Sequence, residues 1–381
     1  MQRPIFPDPS NSQPRVLILS MRDLEFHVSR SFITEFENCI SSWENVDLLS
    51  IPHFSKALPT KILNNVSRKI FQITGSQKTF NPIHNYFSLI KEYDLFFFIC
   101  QKPIDLLYLN SITSWRERCN KAVCLLDEIW MENYHQEQKQ LSVLKKFDYI
   151  FMNLNSSIKA VASTTEKPCY YLAPGVDAIK FCPYPLSPQR NIDVCSFGRR
   201  SPTVHQSLLK LGEQENFLYI YDTMQHLFTG NYQHHRALYQ SIIKRSNYFV
   251  AYKAKFNLKG EVGTQEELNV RFFEAASGGA VILGTPPQSE TFTRSFDWSD
   301  AVIDVPPQAT NVAEVIAELN AQPERLKEIR KNNVINSLLR HDWVYRWGQI
   351  LDKVGLSHTP KMAQRRADLK NLADMALQKI S

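Results

Sequence analysis

The stretch Gln265-Glu266-Glu267-Leu268-Asn269-Val270-Arg271-Phe272-Phe273-Glu274-Ala275-Ala276-Ser277-Gly278-Gly279-Ala280-Val281-Ile282-Leu283-Gly284 decides how the rest of this sequence reads. Apolar residues at 268, 272, 273 and 276 recur at helical spacing, which predicts a helix over 265–277. Glu266 and Glu274 then lie two turns apart on nearly one face. A Gly-Gly stop releases the chain into a short apolar strand. The helix would open with acidic residues after a Gly263-Thr264 loop, and the unpaired N–H groups of such a start can dock a phosphate. Carboxylates further along could hold sugar hydroxyls. An ordinary amphipathic helix with acidic surface residues has the same pattern, so the surrounding chain has to discriminate.

At 381 residues the chain fits two domains, each large enough to bury a core of its own. Hydrophobic content of 43% against 22% charged, with 23 Phe and 15 Tyr, describes a globular protein rather than a disordered one. A net charge of +6 with no dense basic block outside 361–379 permits anionic ligands without demanding a polymer, so no nucleic-acid partner is expected. The seven cysteines include no Cys-x-x-Cys pair and read as reduced and structural. Residues 1–14 are polar and rich in Pro and Ser, which predicts a disordered or extended N-terminus without the apolar core of a signal peptide. The longest strongly apolar run, 95–100, is far below the roughly 20 residues that span a bilayer. A cytoplasmic, non-spanning protein is expected.

Short apolar runs alternate with longer amphipathic ones, the pattern of a parallel α/β sheet. In the first half, strands are predicted at 15–20, 46–51, 94–100, 122–127, 149–153 and 170–172. Helices are predicted near 30–42, 82–92, 104–118, 133–146 and 155–164. Ala173-Pro174-Gly175-Val176-Asp177 and prolines 183, 185 and 188 interrupt this alternation and mark a linker. Strands then resume at 192–196, 217–221, 248–252, 280–283 and 301–305, with helices near 203–213, 232–245, 265–277, 311–320 and 323–340. Two doubly wound, Rossmann-like domains follow from this, with ligands expected at the carboxyl ends of their strands.

The Glu-x7-Glu spacing with Ala-Ala-Ser-Gly-Gly resembles the donor-binding helix of GT-B glycosyltransferases, in the neighbourhood of the family 1 and 4-like groups. The Asn269-x-Arg271-x-x-Glu274-Ala275 run is similar to that of the CgeB-like branch. Pro174-Gly175-Val176-Asp177, followed by Phe181 and Pro183, resembles the linker of many such enzymes, although a tight turn capped by Asp177 explains it equally. The segment 341–351, from His341 through Arg346 to Leu351, resembles their terminal helix. The resemblance covers about 145–352 and, weakly, the N-terminal half. It implies an α/β GT-B architecture, two Rossmann-like doubly wound domains facing across a cleft with C-terminal helices crossing back. The acceptor domain is expected at 15–178, the linker at 179–190, the nucleotide-sugar donor domain at 191–340 and the C-terminal helices at 341–381.

Candidate site residues follow. The strand 192–196 runs into Gly198-Arg199-Arg200, where a backbone can approach a ligand and guanidiniums can neutralise a diphosphate leaving group; solvated surface arginines are the alternative. Lys253 and Lys255 follow the strand at 248–252 and could stabilise the same charge. No Lys follows Gly198-Arg199 at the short spacing of the better-known enzymes, which leaves open which cation does the work. The resemblance assigns ribose binding to Glu274 and proximity to the transferred sugar to Glu266, with Glu267 a competitor. It places Asn269 and Arg271 among the donor-binding residues, Arg271 on phosphate or paired with an acidic neighbour. In the first half, Asp127 and Glu128 end an apolar strand and could orient or deprotonate an acceptor hydroxyl, while Trp130 could stack on a sugar. A helix-capping role for Asp127 stands beside this.

No Asp-x-Asp, His/Cys ligand spacing or P-loop is present, so neither metal nor cofactor is expected beyond a nucleoside diphosphate sugar as co-substrate. The expected function is hexose transfer from that donor to a sugar or other hydroxyl acceptor, with retention implied by the resemblance alone. The alternatives are an inactive nucleotide-sugar or glycan-binding relative and a sugar-nucleotide epimerase of the same fold. The basic tail from Lys361 predicts an amphipathic helix with Met362, Leu369, Leu372, Met375 and Ala376 on one side, packed on the protein or touching a membrane surface.

Overall fold

The structure, a computed structural model, describes residues 14–24, 26–53, 58–78, 86–214, 216–223 and 229–378. Two compact units follow one another, the first ending at Leu172 and the second beginning at Ala173. The extended or disordered stretch expected at the N-terminus lies, apart from Pro14, outside the described residues.

The first unit runs β1 (Val16–Ser20), α1 (Ser31–Trp43), β2 (Val46–Ser50), α2 (Leu58–Thr74), β3 (Phe87–Ser88), β4 (Tyr93–Cys100) and β5 (Ile112–Thr113). It continues with β6 (Cys119–Leu126), α3 (Tyr134–Leu141), β7 (Tyr149–Met152), α4 (Ile158–Thr165) and β8 (Cys169–Tyr171). Six strands make a sheet in the order β2-β1-β4-β6-β7-β8, and β3 pairs with β5 alone. Every pairing is parallel, with Val16 opposite both Val46 and Leu95. The run from Leu95 to Cys100 is at most 2% exposed, because helices cover both faces of a parallel sheet, so its residues need not alternate. Each buried Phe there contributes about 1.5–3 kcal/mol.

Three expectations for this unit change. The helix predicted at 82–92 falls partly outside the described residues, and Phe87–Ser88 is a strand. Helix α2 was not anticipated, although Ile62, Val66, Ile70 and Ile73 recur along it at helical spacing; all four are exposed. The segment predicted as one helix over 104–118 is a run of tight 3-10 turns, Pro103–Ser111, that passes directly into β5. Asp105 accepts from the backbone N–H of Gln101 and Lys102, which fixes that entry.

The second unit comprises α5 (Ala178–Phe181), β9 (Ile192–Ser196), α6 (Pro202–Gly212), β10 (Tyr219–Tyr221), α7 (Tyr232–Arg245), β11 (Ser246–Val250), α8 (Lys259–Val262) and α9 (Val270–Ser277). Then come β12 (Val281–Gly284), α10 (Glu290–Ser295), β13 (Ile303–Asp304), α11 (Val312–Asn320), α12 (Pro323–Arg340), α13 (Trp343–Val354) and α14 (Pro360–Gln378). Its parallel sheet has the order β10-β9-β11-β12-β13. The segment 179–190, expected as a linker, lies inside this unit, where Asp177 caps α5 and Phe181 packs edge-on to Tyr239.

Helix α9 is shorter than the predicted 265–277. Asn269 is its cap, accepting from the Arg271 N–H at 3.2 Å, and the backbone of Ala254 donates to Glu267 O, holding 265–269 extended. Glu266 therefore does not share a helix face with Glu274, and Gly263-Thr264 does not open the helix. An Asn in extended conformation satisfies the first N–H groups just before the apolar run, which sets the boundary there.

Helix α13 starts at Asp342, whose carboxylate accepts from Val344 N and Ala178 N. Trp343 and Trp347 are buried, as expected of a helix laid on the domain body. Helix α14 packs on α12 and buries Met362, Leu369, Ala373 and Ala376, whereas Met375, expected on that side, is 43% exposed. Its Arg365 bonds both Asp177 and Asp342 at 2.6 Å. None of the seven cysteines forms a disulfide, and six are buried.

Candidate functional site

In a doubly wound sheet, the crevice for ligands opens where the strand order reverses. In the second unit that reversal falls between β9 and β11, at the ends that lead into Gly198 and Lys253. Gly198 adopts φ +76°, a left-handed conformation that favours glycine, and its N–H donates to Asp222 Oδ1 at 2.9 Å. Arg200 pairs with the same Asp222 and lies over the Tyr221 ring. Arg199 is exposed and has no partner among the described residues. Of the adjacent arginines, one is tied into the loop and the other faces solvent.

Arg271, half-buried in the first turn of α9, brings its guanidinium against the α-carbon of Gly198, where any Cβ would collide with it. Among the described residues the guanidinium has no hydrogen-bond partner and no paired carboxylate, while the backbone N–H is taken by Asn269. A cation held this way at the reversal point of the sheet is positioned for an anion.

Lys253 pairs with Glu266, whose second oxygen accepts from Gln288 N at 2.5 Å. Burial alone would raise the Glu266 carboxyl, but the Lys253 ammonium and the Gln288 N–H hold it below the usual range. Lys255 turns instead to Glu261 at 3.0 Å. Asn269 spends its carbonyl oxygen on capping. Glu274 is 3% exposed; one oxygen pairs with Arg236 of α7 and the other accepts from Tyr239 OH at 3.0 Å. Arg236 also covers the Phe181 ring at 4.9 Å, so the carboxylate sits in a buried, satisfied cluster. Glu267, the competitor for the sugar role, is 1% exposed.

The first unit reverses its strand order between β1 and β4, and a second polar group collects there. Arg30 forms a two-pronged pair with Asp105 at 3.0 and 3.1 Å. Ser20 at the end of β1 donates to Glu37 at 2.6 Å, and Arg22 joins the same carboxylate. Burial pushes Glu37 above the ordinary range despite Arg22. Asp127 follows β6, its backbone N–H bonded to Cys100 O, and its carboxyl finds no partner among the described residues. Burial, with the charges of Glu128 and Asp105, holds that carboxyl well above the ordinary aspartate range against Arg30 and Lys102. Asp127 caps no helix. Glu128 is tied by its backbone to Gln101 O, and Trp130 is only 4% exposed, so its ring packs inward rather than presenting a stacking face.

Each unit thus gathers its predicted residues at its own strand ends. The side-chain pairings of Asp222, Arg236, Tyr239, Arg30 and Asp105 had no local signal, since those partners lie from 22 to 75 residues away. Among the described residues, no three His, Cys, Asp or Glu side chains gather as a metal site, and no helix is long and apolar enough to cross a membrane.

Residues 215–352, which include the 265–284 stretch, match the family model described as glycosyl transferase-like. Anabaena HepE, solved with UDP-glucose, superposes over 90% of this chain and 100% of its own at TM-score 0.52 and 11% identity. The chain has the GT-B fold. Other solved structures agree in fold: a Burkholderia vietnamiensis α,α-trehalose-phosphate synthase (UDP-forming) covers 90% of this chain and 97% of its own, with TM-score 0.54 and 8% identity. An α-glucosyltransferase solved with UDP and a 13-mer DNA containing a HMU base covers 91% and 100%, with TM-score 0.52 and 12% identity. No curated protein matches the chain in sequence. At these identities the likeness is one of fold.

Proposed function

We propose that this GT-B chain is a glycosyltransferase that moves a hexose from a nucleoside diphosphate sugar to a hydroxyl acceptor, without a metal and with retention. The observation that carries this is Arg271, an unneutralised guanidinium packed on the Gly198 backbone at the strand-order reversal of the second unit. Glycosyl transfer develops negative charge on the departing diphosphate, and a preorganised cation stabilises that charge more in the transition state than in the ground state. Arg271 takes the diphosphate, with Lys253 and the Gly198 loop beside it.

Glu266, kept ionised by Lys253 and Gln288 N, meets the hydroxyls of the transferred sugar. Glu274 acts on the ribose side through its shared cluster with Arg236 and Tyr239. Asp127 serves the acceptor hydroxyl: burial and the neighbouring carboxylates raise its carboxyl, which makes its ionised form a stronger proton acceptor than an ordinary aspartate. HepE with UDP-glucose and a UDP-forming synthase of the same fold favour UDP as the donor nucleotide.

The test is calorimetric titration with UDP and UDP-glucose in the absence of divalent metal. Binding that weakens at least tenfold in Arg271→Gln, with the melting temperature preserved, supports the assignment. Unchanged binding in that variant, or no binding of any nucleoside diphosphate sugar, sinks it. Product analysis with the bound donor then separates transfer from epimerisation.

A further inference from the structure

At the amino ends of the second unit's strands, a pocket of about 210 Å³ is lined by Tyr184, Ser187, Arg190, Lys327, Arg330 and Val334 among others. It lies one strand length, roughly 17 Å, from the Gly198 end of the sheet. Arg190 reaches Ser246 O at 2.5 Å and Gly278 O at 2.8 Å, tying the lead-in of β9 to β11 and to the end of α9. Arg330, from α12, donates to Asn247 Oδ1 at 3.0 Å, but its Nε is buried without a partner among the described residues.

Two guanidiniums therefore share one cavity with a lysine and two hydroxyl-bearing side chains, and no carboxylate lines it. Burial, and then the charge of Arg330, push the Arg190 pKa down to about 10. Like charges in a half-buried site are costly unless an anion joins them. The surroundings also leave little room to separate: a Cβ on Gly279 would stand 2.8 Å from Arg190 Nη2 and 2.9 Å from Val334, so the glycine is what lets the guanidinium in.

We propose that this pocket is a second anion site, separate from the donor site, which binds a small phosphate-bearing ligand between Arg190, Arg330 and Lys327. Its volume is below the roughly 300–1,000 Å³ of sites for drug-sized ligands, which suits inorganic phosphate or a small phosphate monoester better than a nucleotide. The planar donor forks of two arginines match phosphate oxygens, and Lys327 at the rim adds a third positive charge.

Calorimetric titrations with inorganic phosphate and with glycerol 3-phosphate, at constant ionic strength and with UDP saturating, test this on the full chain. Binding of either ligand is expected to persist with UDP present, to weaken at least tenfold in Arg330→Gln and several-fold in Lys327→Ala, and to be unaffected in Arg271→Gln. Tighter binding of the ester identifies an organic phosphate as the occupant; equal binding identifies inorganic phosphate. Absence of binding, displacement by UDP, or unchanged affinity in both Arg330→Gln and Lys327→Ala overturns the proposal. Lys327 is solvent-exposed on α12, so its variant keeps the test decisive if Arg330→Gln does not fold.

Discussion

Arg271 stands on the α-carbon of Gly198, so a side chain at position 198 must displace the guanidinium. Gly198→Ala places a methyl group into the guanidinium and also puts an L side chain at φ +76°, which costs about 1–2 kcal/mol by itself. The variant is expected to melt lower and to bind UDP at least tenfold more weakly. In an Arg271→Ala background the same change should cost less, since the collision is gone. A double-mutant cycle on melting and UDP affinity measures this, and strict additivity would count against the contact.

Glu274 is expected to behave as a structural residue as well as a ligand. With Arg236 and Tyr239 both bonded to it in a buried cluster, Glu274→Ala strands the Arg236 charge and should destabilise the second unit by about 3–5 kcal/mol. Glu274→Gln, which keeps the shape, should cost less and still lower donor affinity. Denaturant unfolding beside UDP titration separates the two effects. A Glu274→Ala protein as stable as the parent would show that the cluster contributes little.

Asp127 gives a pH signature of known sign. Its folded carboxyl lies above the unfolded value, so the folded state holds the proton longer. The corresponding stability is fully present below about pH 3.9 and is lost as pH rises through the folded pKa. Asp127→Asn removes that loss and should leave the first unit at least as stable as the parent at pH 7, while acceptor turnover falls. Urea unfolding at pH 4 and 7 checks the first point, and initial rates with donor and acceptor check the second.

His341 has the opposite sense. Burial, with the charges of Arg346 and Arg340, keeps its imidazole well below the usual value, and Arg346 Nη2 lies 3.4 Å from its Nδ1 among the rings of Phe273, Phe296 and Trp298. The unfolded chain binds the proton first, so stability is fully present above about pH 6.5 and falls below it by up to about 1.4 kcal/mol per pH unit. His341→Gln should be less stable at pH 8 and flatter between pH 5 and 6.5. Hydrogen exchange of α13 across that range reads it; a parent protein equally protected at pH 5 and 7 contradicts the assignment.

How far the site could be read ahead of the structure differs by residue. Arg271 and Lys253 were visible as cations beside predicted elements, yet so were Arg199, Lys255 and Arg200. What separates them is partner choice: Asp222 takes Arg200, Glu261 takes Lys255, Glu266 takes Lys253, solvent takes Arg199, and no described side chain takes the Arg271 guanidinium. The Glu266 and Glu274 pair was visible by spacing, but the extended cap at Asn269 placed the two carboxylates on different elements. A cap competes with helix propensity over a single residue, and periodicity cannot resolve that contest.

The sequence by itself determined the two parallel α/β units, because burial on both faces of each strand writes continuous apolar runs such as 95–100 into the chain, and the breaks between them are local. It also determined the α9–β12 junction, where Gly278 and Gly279 can only end a helix. Only the tertiary structure decided which charges are free. Glu274 meets an Arg 38 residues earlier in the chain, Arg30 an Asp 75 residues later, and Arg190 a second arginine from α12. Such meetings depend on how elements pack against one another, and no local pattern of residues encodes them.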